Sequence, residues 1–439
     1  MRYYNQYMRI FSFRPKQLCR PEVTLGLMWL AAAPSFAEPY EVPVYQRNQE
    51  LSVFLRSDPT LTPQGFMLGN YTFYPSLTTD LQYTDNVFSS ATDEQGDFIL
   101  SLNPNFRFQS NFDRHSLDFF FNAEQLYYEK FSTENRLGYD FGSSARYDIN
   151  DDVFIPLNIS YQQRQSSRGN PDDSNVIKPT EYNVLSVESG IIYSGQLLDF
   201  DALLDAHDYS YDDAITNTGI QNNQDRNRTE TNGFLRLGLS STTSDLAPYI
   251  YSHYRDISYD QRIDDSGFNR SAKEIEGGIG ARFRLSSLTT SSLQVGYVSF
   301  DPEDSAFDTV RDFSYQANIT WEPSTLMAFS LTGTRSIAVT TLNNLAASVN
   351  SSINLGATYE LTPNIFLFPA VRYGEINYDG LPSAKLETTQ FLFGMDYRMN
   401  KNVWWNAEYQ YTRQDDPKNS PFIGEYDRNT FLLSMRLQF

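Results

Sequence analysis

The sequence lacks the features that stabilise most small exported proteins and most helical membrane proteins. It has one cysteine, Cys19, in 439 residues, so no disulfide can form within the chain. No apolar run approaches the ~18 residues of a transmembrane helix, which excludes an α-helical membrane protein. Basic residues number 34 against 54 acidic ones, and the net charge of −20 makes the chain a poor candidate for binding nucleic acid.

Aromatic residues are plentiful although the chain is polar. Tyr, Phe and Trp make up 15% of the residues, whereas hydrophobic residues of all kinds make up 40% and the mean hydropathy is −0.48. Disordered chains are poor in aromatic residues. The composition therefore predicts a folded chain whose apolar side chains are interspersed with polar ones.

The first 37 residues predict an export signal. Residues 23–33 form a short apolar stretch, and Ser35-Phe36-Ala37 is a cleavage site of small residues, so we expect cleavage after Ala37. Cys19 precedes the apolar stretch, is badly placed as a lipoprotein acceptor, and leaves with the signal. The remaining chain has 29 basic and 53 acidic residues, a net charge of −24. The basic residues before the apolar stretch are Arg2, Arg9, Arg14, Lys16 and Arg20.

Apolar and polar residues alternate from about Asn70 to the last residue. The final segment shows it best, with apolar Phe431, Leu433, Met435, Leu437 and Phe439. A spacing of two is typical of a strand with one apolar face, and no sustained stretch has the spacing of a helix. We therefore predict an all-β fold of about eighteen strands (16 to 18). They begin near residues 71, 97, 116, 137, 153, 182, 197, 232, 247, 274, 291, 312, 326, 348, 365, 388, 402 and 429.

The connections between these segments are of two kinds that alternate along the chain. Short ones such as Asn150-Asp151 have turn residues, whereas long ones such as 208–230 are rich in Asp, Asn, Ser and Gly. This sorting predicts a single transmembrane antiparallel up-and-down β-barrel over residues 70–439, closed because lipid cannot satisfy a sheet edge. Residues 38–69 contain four prolines and are interpreted as a periplasmic segment or one folded into the lumen.

The polar residues of each predicted strand face the barrel interior. Eighteen strands enclose a water-filled lumen unless something plugs it, so we expect a conduit. Mixed charges with amides and aromatic rings are typical of a surface along which carbohydrate slides, although any water-filled lumen is polar. The charged candidates for lining the pore are Arg107, Glu124, Arg146, Arg164, Asp199, Asp201, Glu276, Arg282, Asp396, Arg398 and Glu408.

The end of the first predicted strand carries a recognisable motif. The segment 83–88, Tyr-Thr-Asp-Asn-Val-Phe, resembles the Tyr-x-Asp-Asn-(Ile/Val)-Phe signature of the β-barrel porin type 2 family, on Tyr83, Asp85, Asn86 and Phe88. Thr84 stands where an acidic residue is common. Members of that family often accompany exopolysaccharide or capsule export. The resemblance, which covers residues 70–439, implies a secretion pore whose partners are the polysaccharide and a periplasmic polysaccharide-export protein.

The last residue and the predicted location imply further partners. The C-terminal Phe439, with apolar residues at every second position before it, resembles the signal read by the barrel-assembly machinery. An outer-membrane barrel also contacts lipid and lipopolysaccharide. No separate feature indicates an oligomer, so we expect a monomer.

Several features of the sequence are compatible with functions other than a conduit. Asp205 and His207 share a strand face and could form a catalytic dyad, but this spacing is common by chance and we predict no enzyme. Acidic pairs in long loops could bind divalent cations or simply be solvated, and we predict no metal or cofactor; they are Asp212-Asp213, Asp264-Asp265 and Asp415-Asp416. The alternative to polysaccharide secretion is a general or substrate-selective diffusion porin, biased toward cations by the acidic charge. A surface adhesin is a weaker alternative.

Overall fold

The computed structural model describes residues 61–439 except 167, 169–172, 174–175, 217–218, 242–243, 287–288, 343–344, 379–384 and 417–424. The predicted signal and most of the segment 38–69 lie outside the described residues, so the predicted cleavage stays a prediction. No helix in the described part of the chain is long and apolar enough to cross a membrane.

Strands make up most of the described chain. Two short 3-10 turns, Ser132–Glu134 and Gln224–Arg226, lie in loops. The strands are β1 (Phe66–Leu68), β2 (Tyr71–Thr84), β3 (Asp97–Ser110), β4 (Ser116–Tyr128), β5 (Arg136–Asp148), β6 (Val153–Gln165), β7 (Glu181–Ser194), β8 (Leu198–Tyr211), β9 (Ala214–Thr216), β10 (Gly219–Gln221), β11 (Arg228–Leu239), β12 (Leu246–Tyr259), β13 (Ala272–Ser286), β14 (Thr289–Pro302), β15 (Val310–Ser324), β16 (Met327–Val339), β17 (Ala347–Thr362), β18 (Ile365–Tyr378), β19 (Lys385–Arg398), β20 (Val403–Asp415) and β21 (Tyr426–Gln438).

The long strands close into one barrel. Strands β2–β8 and β11–β21 each pair antiparallel with the next long strand, and β21 pairs with β2. Strand β1 adds to the end of β2, and β9 and β10 form a separate hairpin. The predicted eighteen-stranded barrel is therefore confirmed, with strand starts correct to within four residues. The strands run further into the loops than predicted, so that the loop placed at 208–230 spans only 212–227.

The two faces of each strand differ as the alternation predicted. Large apolar side chains such as Phe391, Phe393 and Leu433 are about half-exposed on the outer surface. Lipid in contact with this surface would cover the apolar atoms that water would otherwise solvate. Exposed aromatic residues lie near both ends, with Trp321 near the end that has short turns and Tyr127 near the end that has long loops.

Asparagine side chains shape two of the short turns. The Asn150 carboxamide oxygen accepts hydrogen bonds from the backbone N–H groups of Asp152 and Val153, both at 2.9 Å. Asn400 makes the same pair of contacts to Asn402 and Val403, at 2.8 and 3.0 Å. These are the local turns that Asn favours, and they reverse the chain at the end of the barrel opposite the long loops.

Candidate functional site

The eleven charged residues predicted to line the pore all lie on the strand face opposite the exposed apolar side chains. The structure thus places them toward the lumen, although their part in transport stays a prediction. Ten of them fall into two regions of the wall, and Arg164 lies between these regions on β6. One region, on β8 and β11–β13, consists mostly of ion pairs, whereas the other, from β19 through β21 to β5, also has carboxylates without an ion-pair partner.

Ion pairs cover the lumen face of β8 and β11–β13. Arg236 pairs with Asp201, and Arg282 lies 3.8 Å from Asp199. Toward the long loops, Arg228 pairs with Glu230 at 2.7 Å and Arg255 with Glu274 at 2.7 Å. The sequence predicted Asp199, Asp201 and Arg282 as lumen residues but not Arg236, the partner of Asp201, because strand parity does not reveal which residues of neighbouring strands meet. The charges of this wall are largely balanced, and removing one partner would leave a buried charge.

A carboxylate row lies on the other side of the lumen and consists of Asp396, Glu408, Asp80, Glu124 and Asp140. Among the described residues, no Lys, Arg or His nitrogen lies within 4.0 Å of these carboxylates. Amide groups hold three of them: Asn406 donates to Asp396, Asn103 to Asp80 and Asn122 to Asp140, at 2.6–2.9 Å. Asp80 is close enough to both Glu124 and Glu408 for their charges to interact. The row therefore presents carboxylates without an ion-pair partner to the lumen, while arginines such as Arg136 and Arg398 act on them from longer range.

The signature residues join the first and last strands of the barrel. The Asp85 carboxylate accepts hydrogen bonds from the backbone N–H and the side chain of Asn429, at 2.8 and 2.7 Å. The Asn86 side chain donates to the carbonyls of Asp427 and Ser90, at 3.0 and 2.8 Å. Since β2 and β21 meet only when the chain closes on itself, Asp85 and Asn86 fasten the barrel seam at the end with long loops.

Removing the Asp85 carboxylate is expected to destabilise the folded barrel. Asp85→Ala leaves the Asn429 amide groups without their acceptor, at a cost of about 1–3 kcal/mol. The readout is the temperature to which samples must be heated before electrophoresis for the folded species to disappear. Asp151→Ala, in an exposed turn at the opposite end, serves as the matched control. An unchanged transition temperature for Asp85→Ala would contradict the seam role.

The long loops interlock around the outer end of the barrel. Phe88 contacts Phe131 edge-on at 4.9 Å, and Arg168 donates through Nε to the buried Glu134 at 3.0 Å. Two further contacts link neighbouring loops: Arg226 to Asp173 at 2.8 Å and the backbone N–H of Asn269 to Asp304 at 2.9 Å. Within one loop, Arg270 donates to Asp264 at 2.6 Å. The N–H groups of Ala306 and Asn269 hold the pKa of Asp304 below its usual value. The acidic residues of these loops thus accept hydrogen bonds from arginine side chains and backbone N–H groups of the same protein.

The connection between β16 and β17 folds into the lumen. Strand β16 stops pairing with β15 at Arg335 but continues to pair with β17 as far as Val339. Arg255, on the lumen face of β12, donates to the carbonyl of Ile337 at 3.1 Å. Along the wall, β12 and β16 are four strand spacings apart, about 19 Å, which one arginine side chain cannot span. Residues 336–350 are here called the inward hairpin. Its described residues therefore lean away from β15 and cross the inner side of β13–β15, while residues 348–350 remain paired with β18.

The inward hairpin is anchored by one arginine and an apolar cluster. The guanidinium of Arg270 donates to the carbonyls of Thr340, Leu342 and Leu345, the first two at 3.4 and 3.3 Å. Among the residues of the cluster, Ile337 and Phe300 are almost fully buried, although they lie in a polar lumen. The remaining members are Ile257, Tyr259, Ala272, Val298, Val310, Ala347 and Val349. The hairpin is thus a fixed structure that narrows the lumen near the long loops.

A serine hydroxyl extends the pair formed by Asp205 and His207. His207 lies 3.0 Å from Asp205 through Nε2 and 2.8 Å from the Ser186 hydroxyl through Nδ1. This has the order of a nucleophile, a base and an orienting acid. However, the charges that face the imidazole from neighbouring strands are those of Glu188 and Glu230, and they would destabilise an oxyanion. The arrangement therefore does not by itself indicate acyl transfer.

The last residue lies at the other end of the seam. The backbone N–H of Phe439 donates to the carbonyl of Pro75 at 3.2 Å, and its ring stacks on Phe66 at 6.0 Å. Strand β1 thus covers the end of the closing strand. Contact with the assembly machinery stays a prediction, because these contacts belong to the finished barrel.

Deleting Phe439 is expected to reduce the amount of protein inserted in the outer membrane, since the machinery would lose the residue it reads. The measurement is the yield of heat-modifiable protein in purified outer membranes. Phe66→Ala is the control, because it removes the ring on which Phe439 stacks and leaves the C-terminus intact. Equal yields for the deletion and the unaltered protein would refute the assignment.

A closed eighteen-stranded barrel with an apolar outer surface and a charged lumen defines an outer-membrane porin-like channel. Residues 58–439 match the family described as "Putative beta-barrel porin 2", and the chain belongs to that family. Its location is the outer membrane. No curated protein matches the chain.

Solved structures are similar to the chain at low identity. OccK2 (OpdF) of Pseudomonas aeruginosa is 10% identical with a TM-score of 0.47, and the match covers 86% of this chain and 100% of OccK2. OccAB3 of Acinetobacter baumannii is 10% identical with a TM-score of 0.45, covering 85% of this chain and 100% of that one. The siderophore receptor PirA of A. baumannii is 9% identical with a TM-score of 0.43, covering 85% and 81%.

Proposed function

We propose that this barrel is the outer-membrane pore through which an exopolysaccharide or capsular polysaccharide leaves the cell. The observation that carries the proposal is the lumen face of β3–β7, where amides and hydroxyls are interspersed with charged groups. Asn105 contacts Asn122 there, and Ser144 contacts Asn158. Such groups exchange hydrogen bonds with a hydrated polymer without holding it tightly. The signature on Tyr83, Asp85, Asn86 and Phe88 supports the same function through the family resemblance.

In this proposal the barrel acts passively and the polymer is supplied from the periplasm. The mature chain begins after Ala37, functions as a monomer and catalyses no reaction. Its partners are outer-membrane lipid and lipopolysaccharide, the barrel-assembly machinery, a periplasmic polysaccharide-export protein and the polysaccharide itself. The residues along its path include Arg107, Arg146 and Arg164 on the side of the lumen that β3–β7 form.

Deleting the gene tests the secretion pore directly. Polysaccharide is assayed separately in the medium, at the cell surface and in the periplasm. Loss outside the cell with retention in the periplasm is the expected result, because the polymer would have no exit. Restoring the unaltered gene should restore export. An unchanged distribution of polysaccharide among the three fractions would contradict this proposal and favour the diffusion porin.

The second candidate is a diffusion porin for small solutes. Two observations favour it: the inward hairpin narrows the lumen, and the carboxylate row offers cations carboxylates that have no ion-pair partner among the described residues. Two measurements distinguish the candidates. A small, cation-selective conductance, together with an unchanged polysaccharide distribution after gene deletion, supports only the porin.

A further inference from the structure

A group of titratable side chains lies on the lumen face of β12 and β13, beside the ion pairs. His253, Glu274 and Glu276 each offer one ligand atom, and the three atoms lie within 4.8 Å of one another. His253 is directly opposite Glu276 in the strand register. In the part of the chain that the structure describes, no other group of three His, Cys, Asp or Glu residues is this close together.

One carboxylate oxygen of this group has no hydrogen-bond donor among the described residues. Glu274 is 5% exposed, and its Oε2 accepts from Arg255 at 2.7 Å. Its Oε1 lies 3.9 Å from His253 Nδ1, which is too far for a hydrogen bond, and no other described residue donates to it. The geometry therefore leaves Glu274 Oε1 and the imidazole facing a common point without a bond between them.

The second carboxylate is held in place by hydroxyl groups. Tyr251 and Ser314 both donate to Glu276 Oε1, at 2.5 and 2.6 Å, so that Oε2 remains for a ligand. Gly296 makes room for this contact, because a Cβ there would lie 2.3 Å from the Tyr251 hydroxyl oxygen. Hydrogen bonds that orient a carboxylate in this way are typical of the residues behind metal ligands.

One of the three carboxylates near this group has no cationic partner among the described residues. Arg228 pairs with Glu230 and Arg255 with Glu274, whereas Glu276 has only hydroxyl donors among the described residues. A divalent cation between the three side chains would balance this charge. One imidazole nitrogen with two carboxylate oxygens suits Zn²⁺, Ni²⁺ or Co²⁺ better than Mg²⁺ or Ca²⁺, which prefer oxygen ligands alone.

We propose that His253, Glu274 and Glu276 bind a divalent transition-metal ion on the lumen wall, with water completing its coordination. Ligand atoms of a tetrahedral zinc site are about 3.4 Å apart, given metal–ligand bonds of about 2.1 Å. The three side chains would therefore close by about 1 Å, which side-chain rotation supplies. The site is independent of the solute or polymer that the barrel conducts.

The test is zinc binding by the folded protein purified from outer membranes. After removal of metals with a chelator, calorimetric titration with Zn²⁺ is expected to give one equivalent per chain. His253→Gln and Glu276→Gln should each weaken binding at least tenfold, and Tyr251→Phe about tenfold, because it frees the carboxylate that Tyr251 orients. Co²⁺ should give visible absorption bands that His253→Gln abolishes.

His207→Gln is the matched control. Its imidazole also faces the lumen and lies 3.0 Å from one carboxylate, Asp205, so its loss should leave zinc affinity unchanged. Heat-modifiable migration identifies the variants that have folded, and Co²⁺ absorption of the unaltered protein provides a readout that needs no variant. Absence of zinc binding, or equal affinity in the unaltered protein, His253→Gln and Glu276→Gln, would overturn the proposal.

Discussion

Removing the inward hairpin is expected to raise the single-channel conductance severalfold. The variant replaces residues 337–349 with Asn-Gly, joining Ser336 to Asn350, which already face each other across the hairpin. Asn-Gly favours the tight turn that two paired strands require. The deletion also removes the pairing of Ser348 and Val349 with β18, whereas β17 and β18 keep their register from Asn350 onward, so the lumen loses its obstruction while the eighteen strands remain. The measurement is conductance in planar bilayers under a fixed salt concentration.

A single substitution tests the contribution of the Arg270 anchor apart from that of the hairpin. Arg270→Ala removes the guanidinium that binds three hairpin carbonyls, and we expect a smaller increase in conductance with more frequent switching between levels. Arg311→Ala changes an exposed arginine on β15 at the same end of the barrel and should have no effect. If the shortened barrel conducts like the unaltered one, the hairpin does not limit the pathway.

Neutralising the carboxylate row is expected to remove most of the cation preference of the channel. The triple variant Glu124→Gln, Asp140→Asn and Glu408→Gln replaces three carboxyl groups of one wall by amides without changing side-chain size. Because no cation pairs with these carboxylates among the described residues, their field acts on the lumen and on permeating ions. The ratio of cation to anion permeability, measured from reversal potentials in a salt gradient, should fall severalfold.

The control for this experiment removes the same net charge outside the lumen. Glu129→Gln, Asp151→Asn and Asp152→Asn lie in exposed connections at the two ends of the barrel. Their effect on selectivity should be small and should disappear in high salt, since exposed charges are screened. Equal permeability ratios in both triple variants would show that the row does not set selectivity.

Strand periodicity predicted the wall well but could not predict what lies inside it. The alternation in Phe431, Leu433 and Leu437 assigned these residues to the outer surface, and parity alone placed Asp199 and Glu408 in the lumen. In contrast, Ile337 and Val349 have the same alternation as wall residues, yet they are buried within the lumen in the inward hairpin. Alternation of apolar and polar residues distinguishes the two faces of a strand. It does not tell whether lipid or another part of the protein contacts the apolar face.

Pairs of charges show the same limit. Asp201 was recognised as a lumen residue, but its partner Arg236 comes from β11, and the pairing depends on the register between two strands. The dyad of Asp205 and His207 was visible in the sequence, whereas Ser186 was not, because it lies on a different strand. The motif around Asp85 was recognised, but its role at the seam depends on Asn429 at the other end of the chain.

The sequence by itself determined the eighteen strands, the two faces of each strand and the end of the barrel that carries long loops. These properties depend on residues that are neighbours in the chain, so local patterns contain them. Only the tertiary structure decided the seam contacts, the ion pairs, the inward hairpin and the grouping of His253 with Glu274 and Glu276. Those contacts join residues from different strands, and their partners are set by register and closure, which local patterns do not contain.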